Sequence, residues 1–236
     1  MKKTIHKAAS RGIADHGWLK SYHTFSFANY QNLERMNFGM LRVLNDDVLQ
    51  PNMGFGTHPH KNMEIISIPI SGVLSHKDSM NNTRAIEVGE VQVMSAGTGI
   101  THSEFNDSST DAVNFLQLWI LTETENIIPY YNQKMFDASA RKNKFQVLVS
   151  PKDKQIEGSL PINQQAYLSM IDLDEGFETS YNLKNSAYFL VIEGAVVLEG
   201  ETLDKRDALG ISEKETVTIK ANKLSKLLVI DVPLNL

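Results

Sequence analysis

The chain has 236 residues, of which 42% are hydrophobic and 22% are charged, an ordinary globular composition. Its 23 basic and 28 acidic residues give a net charge of -5, which offers no basic surface for binding nucleic acid directly. It contains no cysteine, and this excludes disulfides, zinc ribbons, iron–sulfur clusters and thiol catalysis. Any metal must therefore be held by nitrogen and oxygen ligands, and the expected partners are small molecules or proteins.

Residues 1–17 are rich in basic side chains but contain no apolar run of signal-peptide length. Nowhere does the chain reach the roughly 18 consecutive apolar residues that a membrane-spanning helix needs. We therefore expect a soluble, cytoplasmic protein without a membrane partner.

Residues 4–126 contain short runs rich in Val, Ile, Phe and Leu, separated by Gly, Asn, Asp or Pro. This rhythm is typical of an all-β barrel or sandwich. Pro69, inside one of the predicted strands, indicates a sheet edge or a β-bulge. The strands predicted here are residues 40–45, 64–70, 73–77, 91–95 and 113–121.

Residues 122–144 lose this rhythm, contain a proline and predict a short helix near 133–141. We place a linker at 129–144, which divides the chain into domains 1–128 and 145–236. Residues 66–79 and 188–201 repeat one pattern, a hydrophobic strand, a glycine turn and a second strand. The sequence therefore predicts two tandem β-barrels with a few short helices.

Two pairs of metal-ligand side chains stand out in the first half. His58 and His60 are two residues apart, and so are His102 and Glu104. Alternate residues of a strand project from one face, so both pairs can point into one barrel. Three imidazoles and a carboxylate suit a first-row divalent ion and leave positions open for substrate or dioxygen. All seven histidines lie in the first half, so the second barrel cannot build such a site.

An isolated pair of alternate histidines is more often a hydrogen-bonded pair than a ligand pair, and the second pair with the same spacing is what favours a metal. Glu64 is either a fifth ligand or, as we expect, an acceptor that orients a histidine ring. His76 lies near a turn and is expected to be solvated. His23 is expected to pack in a half-buried strand, with a position in the pocket as the alternative.

An apolar pocket for a flat aromatic substrate is a further expectation, although core packing explains its residues equally well. The run Asn45, Asp46 and Asp47 is expected to be a solvated turn rather than a calcium site. The candidate pocket residues are Phe55, Met63, Met94, Phe115 and Trp119.

Five stretches together resemble the pirin family of the cupin superfamily, and are most similar to short bacterial members linked to quercetin 2,3-dioxygenase activity. The second half resembles a diverged cupin without metal. Two departures from the general cupin pattern favour the pirin pattern: seven residues separate Glu64 from Gly72 where six are usual, and Ser95 replaces a proline. The five stretches are residues 23–30, 42–49, 55–65, 71–79 and 89–106.

The resemblance implies a bicupin with one divalent metal in the N-terminal barrel, held by His58, His60, His102 and Glu104. It leaves Glu64 in a supporting role. Iron is the expected ion, with manganese, cobalt, nickel, copper and zinc as alternatives. The implied reaction is the cleavage of a flavonol such as quercetin by dioxygen with release of carbon monoxide, Glu104 acting as general base. We expect a monomer.

Two alternatives belong to other functional classes. A metal- or redox-dependent regulatory protein would bind a transcriptional or metabolic partner, and a large exposed apolar patch would favour it. A cupin isomerase acting on an acidic sugar would need basic side chains at the site, for which only Lys61, Arg42 and Arg84 are candidates.

Overall fold

The computed structural model describes residues 1–235, and almost all of the regular structure in them is β. Three short 3-10 helices lie at Ala8–Ser10, Ala138–Arg141 and Lys152–Lys154. The strands of the first half are β1 Lys2–His6, β2 Gly12–Asp15, β3 Leu19–His23, β4 Leu41–Leu49, β5 Gly54–His60, β6 Met63–Ser71, β7 Leu74–Asp78, β8 Thr83–Ile86, β9 Glu90–Ser95, β10 Ile100–Phe105, β11 Val113–Leu121 and β12 Tyr130–Met135. Those of the second half are β13 Gln146–Pro151, β14 Leu160–Ile162, β15 Tyr167–Leu173, β16 Glu178–Asn182, β17 Ser186–Glu193, β18 Ala195–Leu198, β19 Glu201–Asp204, β20 Ala208–Ser212, β21 Thr216–Ala221 and β22 Ser225–Val232.

Each half consists of a seven-stranded sheet facing a four-stranded sheet, which confirms the predicted pair of cupin barrels. In the first half the strand orders are β12-β9-β6-β11-β4-β3-β2 and β5-β10-β7-β8. In the second half they are β1-β20-β17-β22-β15-β13-β14 and β16-β21-β18-β19.

The internal repeat is visible in the topology. In the first half β6 lies between β9 and β11, and in the second half β17 lies between β20 and β22. The turn after each central strand contains a glycine with a positive φ, 76° at Gly72 and 86° at Gly194. Glycine adopts this conformation without steric cost, which is why both copies keep it.

The strand predictions are accurate to a few residues. Val113–Leu121 has the predicted bounds, and β4 continues four residues beyond the predicted end. Pro69 does not mark an edge, because β6 is flanked by β9 and β11. The alternative is confirmed: the register with β11 shifts between Pro69 and Ser71, as in a bulge.

The terminal strand β1 pairs with β20 of the second half. The prediction of a helix at residues 133–141 is wrong for its first part, since β12 runs to Met135 and pairs with β9. In its second part a 3-10 helix occupies Ala138–Arg141. The domain limits at 128 and 145 stay a prediction.

The largest hydrophobic core lies between the two halves. Alternate residues of the central strands face it, among them Ile66 and Ile68 from β6 and Leu228 and Ile230 from β22. The residues between them face the interior of their own half, as Val229 does. Both faces of these strands are therefore buried, which accounts for their nearly continuous hydrophobic runs. In residues 1–235 no helix is long and apolar enough to cross a membrane.

Truncating a residue of this shared core should destabilise the protein. For Leu228→Ala we expect the free energy of unfolding to fall by about 2–5 kcal/mol, because Leu228 is fully buried in the core common to both halves. Leu224, 71% exposed, is the control, and Leu224→Ala should change stability by less than about 0.5 kcal/mol. Urea denaturation measures both, and equal effects would contradict the shared core.

Candidate metal centre

The first pair of predicted ligands lies on β5. His58 and His60 project from one face of the strand, with ring centroids 4.9 Å apart. The Nδ1 of His58 is 2.8 Å from the carbonyl oxygen of Gly56. Because a carbonyl only accepts hydrogen bonds, His58 donates from Nδ1 and keeps the lone pair of Nε2 free for a metal.

The second pair lies on β10, between β5 and β7. His102 is the cross-strand partner of His58 on one side and of Asp78 on the other. The register with β5 shifts between His102 and Glu104, which indicates a bulge. The two strands approach closely there, since a Cβ on Gly54 would lie 2.3 Å from the backbone oxygen of Glu104. Only glycine fits at position 54 without a backbone shift.

The structure brings the three predicted histidines into one cluster. The ring centroid of His102 is 4.4 Å from that of His58 and 4.9 Å from that of His60. One potential ligand nitrogen from each lies within 4.8 Å of the other two. The Nε2 of His60 and both ring nitrogens of His102 are buried without a hydrogen-bond partner. Buried nitrogens that lack partners are costly, and this donor set fits a divalent ion.

Two of the three imidazoles, those of His102 and His60, are held in the form that binds metals. Burial, with a smaller contribution from the neighbouring histidines, lowers the pKa of His102 to about 2. Burial, with a smaller contribution from His58, lowers the pKa of His60 to about 4. Both rings are therefore neutral near pH 7, as metal ligation requires.

Glu104 is 2% exposed, and its carboxylate accepts hydrogen bonds from two side chains. The side-chain amide of Gln117 donates at 2.9 Å and the hydroxyl of Ser67 at 3.0 Å. Burial raises the pKa of Glu104, and the hydrogen bond from Gln117 opposes that shift. A Glu104 oxygen lies within 4.8 Å of ring nitrogens of His102 and His76. Glu104 thus adjoins the three-histidine cluster through His102.

The expectation that His76 is solvated is wrong. It lies on β7 as the cross-strand partner of Glu104 and is 1% exposed. Its Nε2 is 3.2 Å from the carboxylate of Asp78, and its Nδ1 has no partner. The available signal was the spacing of His76 and Asp78, two residues apart like the two ligand pairs, which places both on the inner face of β7.

The expectation of a solvated turn at Asn45, Asp46 and Asp47 is also wrong. All three are buried in β4. Asp46 faces away from the site and pairs with Arg11 at 3.3 Å and Arg206 at 3.4 Å. Because side chains alternate along a strand, Asn45 and Asp47 point the other way and line the cavity beside the histidines.

Glu64 is fully buried, and its hydrogen-bond partners are Ser95 of β9 and Asn163 of the second half, not a histidine. Its carboxylate accepts hydrogen bonds from the hydroxyl of Ser95 and from the backbone N–H of Asn163, the latter at 3.2 Å. Ser95, which replaces a proline of the general pattern, is thus a hydrogen-bond donor to Glu64. The expectation that Glu64 orients a histidine ring is wrong.

A cavity of about 380 Å³ opens beside the three imidazoles. Its apolar walls are aromatic, and the rings of Trp119 and His60 have centroids 4.8 Å apart. His23 packs edge-on against Phe27, as expected, and it also lines the cavity. Of the five expected pocket residues, Phe55 and Trp119 line the cavity, whereas Met63, Met94 and Phe115 pack in the hydrophobic core.

Comparison with known proteins agrees with this fold. Residues 5–120 match the family model described as Pirin, and residues 147–232 match that of the quercetinase C-terminal cupin domain. A protein of Escherichia coli K12 named quercetin 2,3-dioxygenase is 42% identical over 97% of this chain and 98% of its own. The chain belongs to the pirin family.

Solved structures of pirins are equally similar. The crystal structure of YhhW from E. coli has a TM-score of 0.94 at 40% identity, with 98% of each chain covered. The structure of bacterial pirin YhhW from E. coli in complex with nickel(II) has a TM-score of 0.92 at 39% identity, covering 98% of this chain and 99% of that one. A divalent metal is therefore compatible with this fold.

Changing the clustered side chains should remove metal without unfolding the protein. We expect His102→Ala to lose most of its bound metal after dialysis, since it removes one donor from a rigid set. Glu104→Gln should bind at least about tenfold more weakly, because the neutral amide no longer offsets the charge of the ion. Elemental analysis after nickel or iron loading measures occupancy, and circular dichroism reports the fold.

Glu64→Gln is the matched control, since it makes the same change in a buried glutamate that contacts the second half. It should retain the wild-type metal content. Full occupancy in His102→Ala, or equal losses in the two glutamine variants, would show that the ligand assignment is wrong.

Proposed function

We propose that this pirin is a metal-dependent dioxygenase that cleaves a flavonol such as quercetin, releasing carbon monoxide. The observation that carries the proposal is a cluster of three imidazoles and a buried carboxylate at an aromatic-walled cavity. The cavity of about 380 Å³ is within the range of roughly 300–1,000 Å³ usual for small-molecule sites. The relative named quercetin 2,3-dioxygenase, at 42% identity, supports the choice of substrate.

His58, His60, His102 and Glu104 would hold the ion. When bound, a divalent transition metal supplies Lewis acidity toward a substrate oxygen and, if redox-active, electrons. Iron is the first ion to test, and nickel is the ion bound in the E. coli pirin complex.

Glu104 has the environment of a proton acceptor. Its burial raises its pKa, which makes the carboxylate more basic than one in water. Gln117 and Ser67 hold it from one side through their hydrogen bonds. In this proposal a Glu104 oxygen takes the proton of the flavonol 3-hydroxyl, and Gln117 and Ser67 keep the carboxylate aimed at it.

The aromatic walls bind and orient the flat substrate. Phe27 stands edge-on to Trp119 at 5.2 Å, and Trp18 edge-on to Phe55 at 5.5 Å, with all four lining the cavity. Such rings offer large apolar surfaces for stacking and exclude water from the bound ligand. Arg42, Lys61 and Arg84, the basic residues that an acidic sugar would need, are not among the residues that line the cavity, so an isomerase is not favoured.

Aerobic incubation with quercetin tests the proposal. We expect metal-loaded protein to consume the flavonol, which is followed as a loss of its absorbance. One carbon monoxide should be released per quercetin. His102→Ala should lower turnover at least about a hundredfold, and Glu104→Gln should also lower it beyond its loss of metal, because an amide takes up no proton. Glu64→Gln should match the wild type.

Protein shown to contain metal that turns over no quercetin with any of the divalent ions would refute the proposed function. Carbon monoxide release that persists unchanged in His102→Ala would place the chemistry elsewhere.

A further inference from the structure

A row of buried polar side chains crosses the inner face of the first seven-stranded sheet. Its members are cross-strand partners on neighbouring strands, so they form a continuous line from β3 to β9. Buried polar groups are retained where they have hydrogen-bond partners, so the row needs a role. In order across the sheet, the row is His23, Asn45, Gln117, Ser67 and Gln92.

The middle of the row has its role within the protein. Gln117 and Ser67 donate hydrogen bonds to the carboxylate of Glu104. The side chains at the two ends of the row have atoms without hydrogen-bond partners. At one end the Nδ1 of His23 and the Oδ1 of Asn45 are buried without partners, and at the other end so are both amide atoms of Gln92.

The two ends differ in what they face. His23 and Asn45 are 3% and 2% exposed and line the same cavity as the metal cluster, whereas Gln92 does not line it. Beside them, Asp47 also lines the cavity and accepts a hydrogen bond from the hydroxyl of Ser21. Burial raises the pKa of Asp47 to about 7, so this carboxyl is only partly ionised near neutral pH.

The chemistry of the wall selects the kind of ligand. Among residues 1–235 no lysine or arginine lines the cavity, so away from the proposed metal ligands an acidic ligand has no such basic side chain to pair with. A cation would need an ionised carboxylate, which burial of Asp47 disfavours. The amide of Asn45 and the imidazole of His23 can each exchange a hydrogen bond with a neutral hydroxyl group, and the remaining walls suit an aromatic ring.

We propose that Asn45 and His23 form a hydroxyl-recognition subsite, which selects flavonols with ring hydroxyl groups in addition to the 3-hydroxyl. This inference rests on the proposed function and specifies the substrate class of the same site. A ligand without those hydroxyl groups leaves both side chains buried and unpaired, and sites built for a hydroxyl reject the analogue that lacks it.

Equilibrium binding tests the subsite apart from turnover. Quercetin and 3-hydroxyflavone share the 3-hydroxyl and differ in the other hydroxyl groups. Both would be titrated anaerobically into the metal-loaded full chain and followed by tryptophan fluorescence, since both tryptophans, Trp18 and Trp119, line the cavity.

The wild type should prefer quercetin, and Asn45→Leu and His23→Phe should each reduce that preference about tenfold while leaving the affinity for 3-hydroxyflavone nearly unchanged. Gln92→Leu is the matched control, an amide-to-alkyl change in the same row away from the cavity, and it should keep the wild-type preference.

An unchanged preference in both cavity variants, or an equal loss of affinity for the two flavonols, would overturn the subsite. So would a wild type that binds 3-hydroxyflavone as tightly as quercetin or binds neither. Selective binding without turnover would support the subsite and refute the proposed dioxygenase, so the two failures are distinguishable.

Discussion

The burial of a carboxylate beside imidazoles is the constraint on which the first half depends. Glu104 is 2% exposed, and the nearest ring nitrogens belong to His102 and His76. A buried carboxylate is costly unless it is hydrogen-bonded and paired with a cation. Gln117 and Ser67 supply the hydrogen bonds, and lone pairs of the histidines surround the place where a cation would complete the arrangement. The glycine at position 54, the bulge in β5 and the middle of the polar row help to hold these groups together.

The second half shows the same fold without this constraint. β21 occupies there the place that β10 has in the first half, between the two neighbouring strands of the four-stranded sheet. Its inward residues are Val217, Ile219 and Ala221, all buried in an apolar core, where β10 presents His102 and Glu104. One copy thus fills its interior with hydrocarbon side chains and stabilises the protein, and the other keeps a polar interior with a cavity. The core shared between the halves joins them through the outer faces of both large sheets.

The clustering of the candidate ligand pairs could be predicted from sequence because their geometry is local. Residues two apart on a strand share a face, so His58 with His60 and His102 with Glu104 needed only strand assignments. His76 and Asn45 were missed because their surroundings misled: His76 precedes a lysine near a turn, and Asn45 begins three polar residues that read as a loop. What buries them is the pairing of β7 with β10 and of β4 with β3 and β11, which is long-range and not encoded in any one segment. The prediction that Glu64 orients a histidine ring was wrong for a related reason, since its partner Asn163 is in the other half.

Anomalous diffraction from crystals of the nickel-loaded protein tests the central claim most directly. The account predicts a single strong peak within bonding distance of nitrogens of His58, His60 and His102 and of a Glu104 oxygen, about 2.0–2.2 Å from each. A peak held instead by His76, His102 and Glu104, without His58 and His60, would contradict it. So would a loaded protein whose metal lies outside the first half.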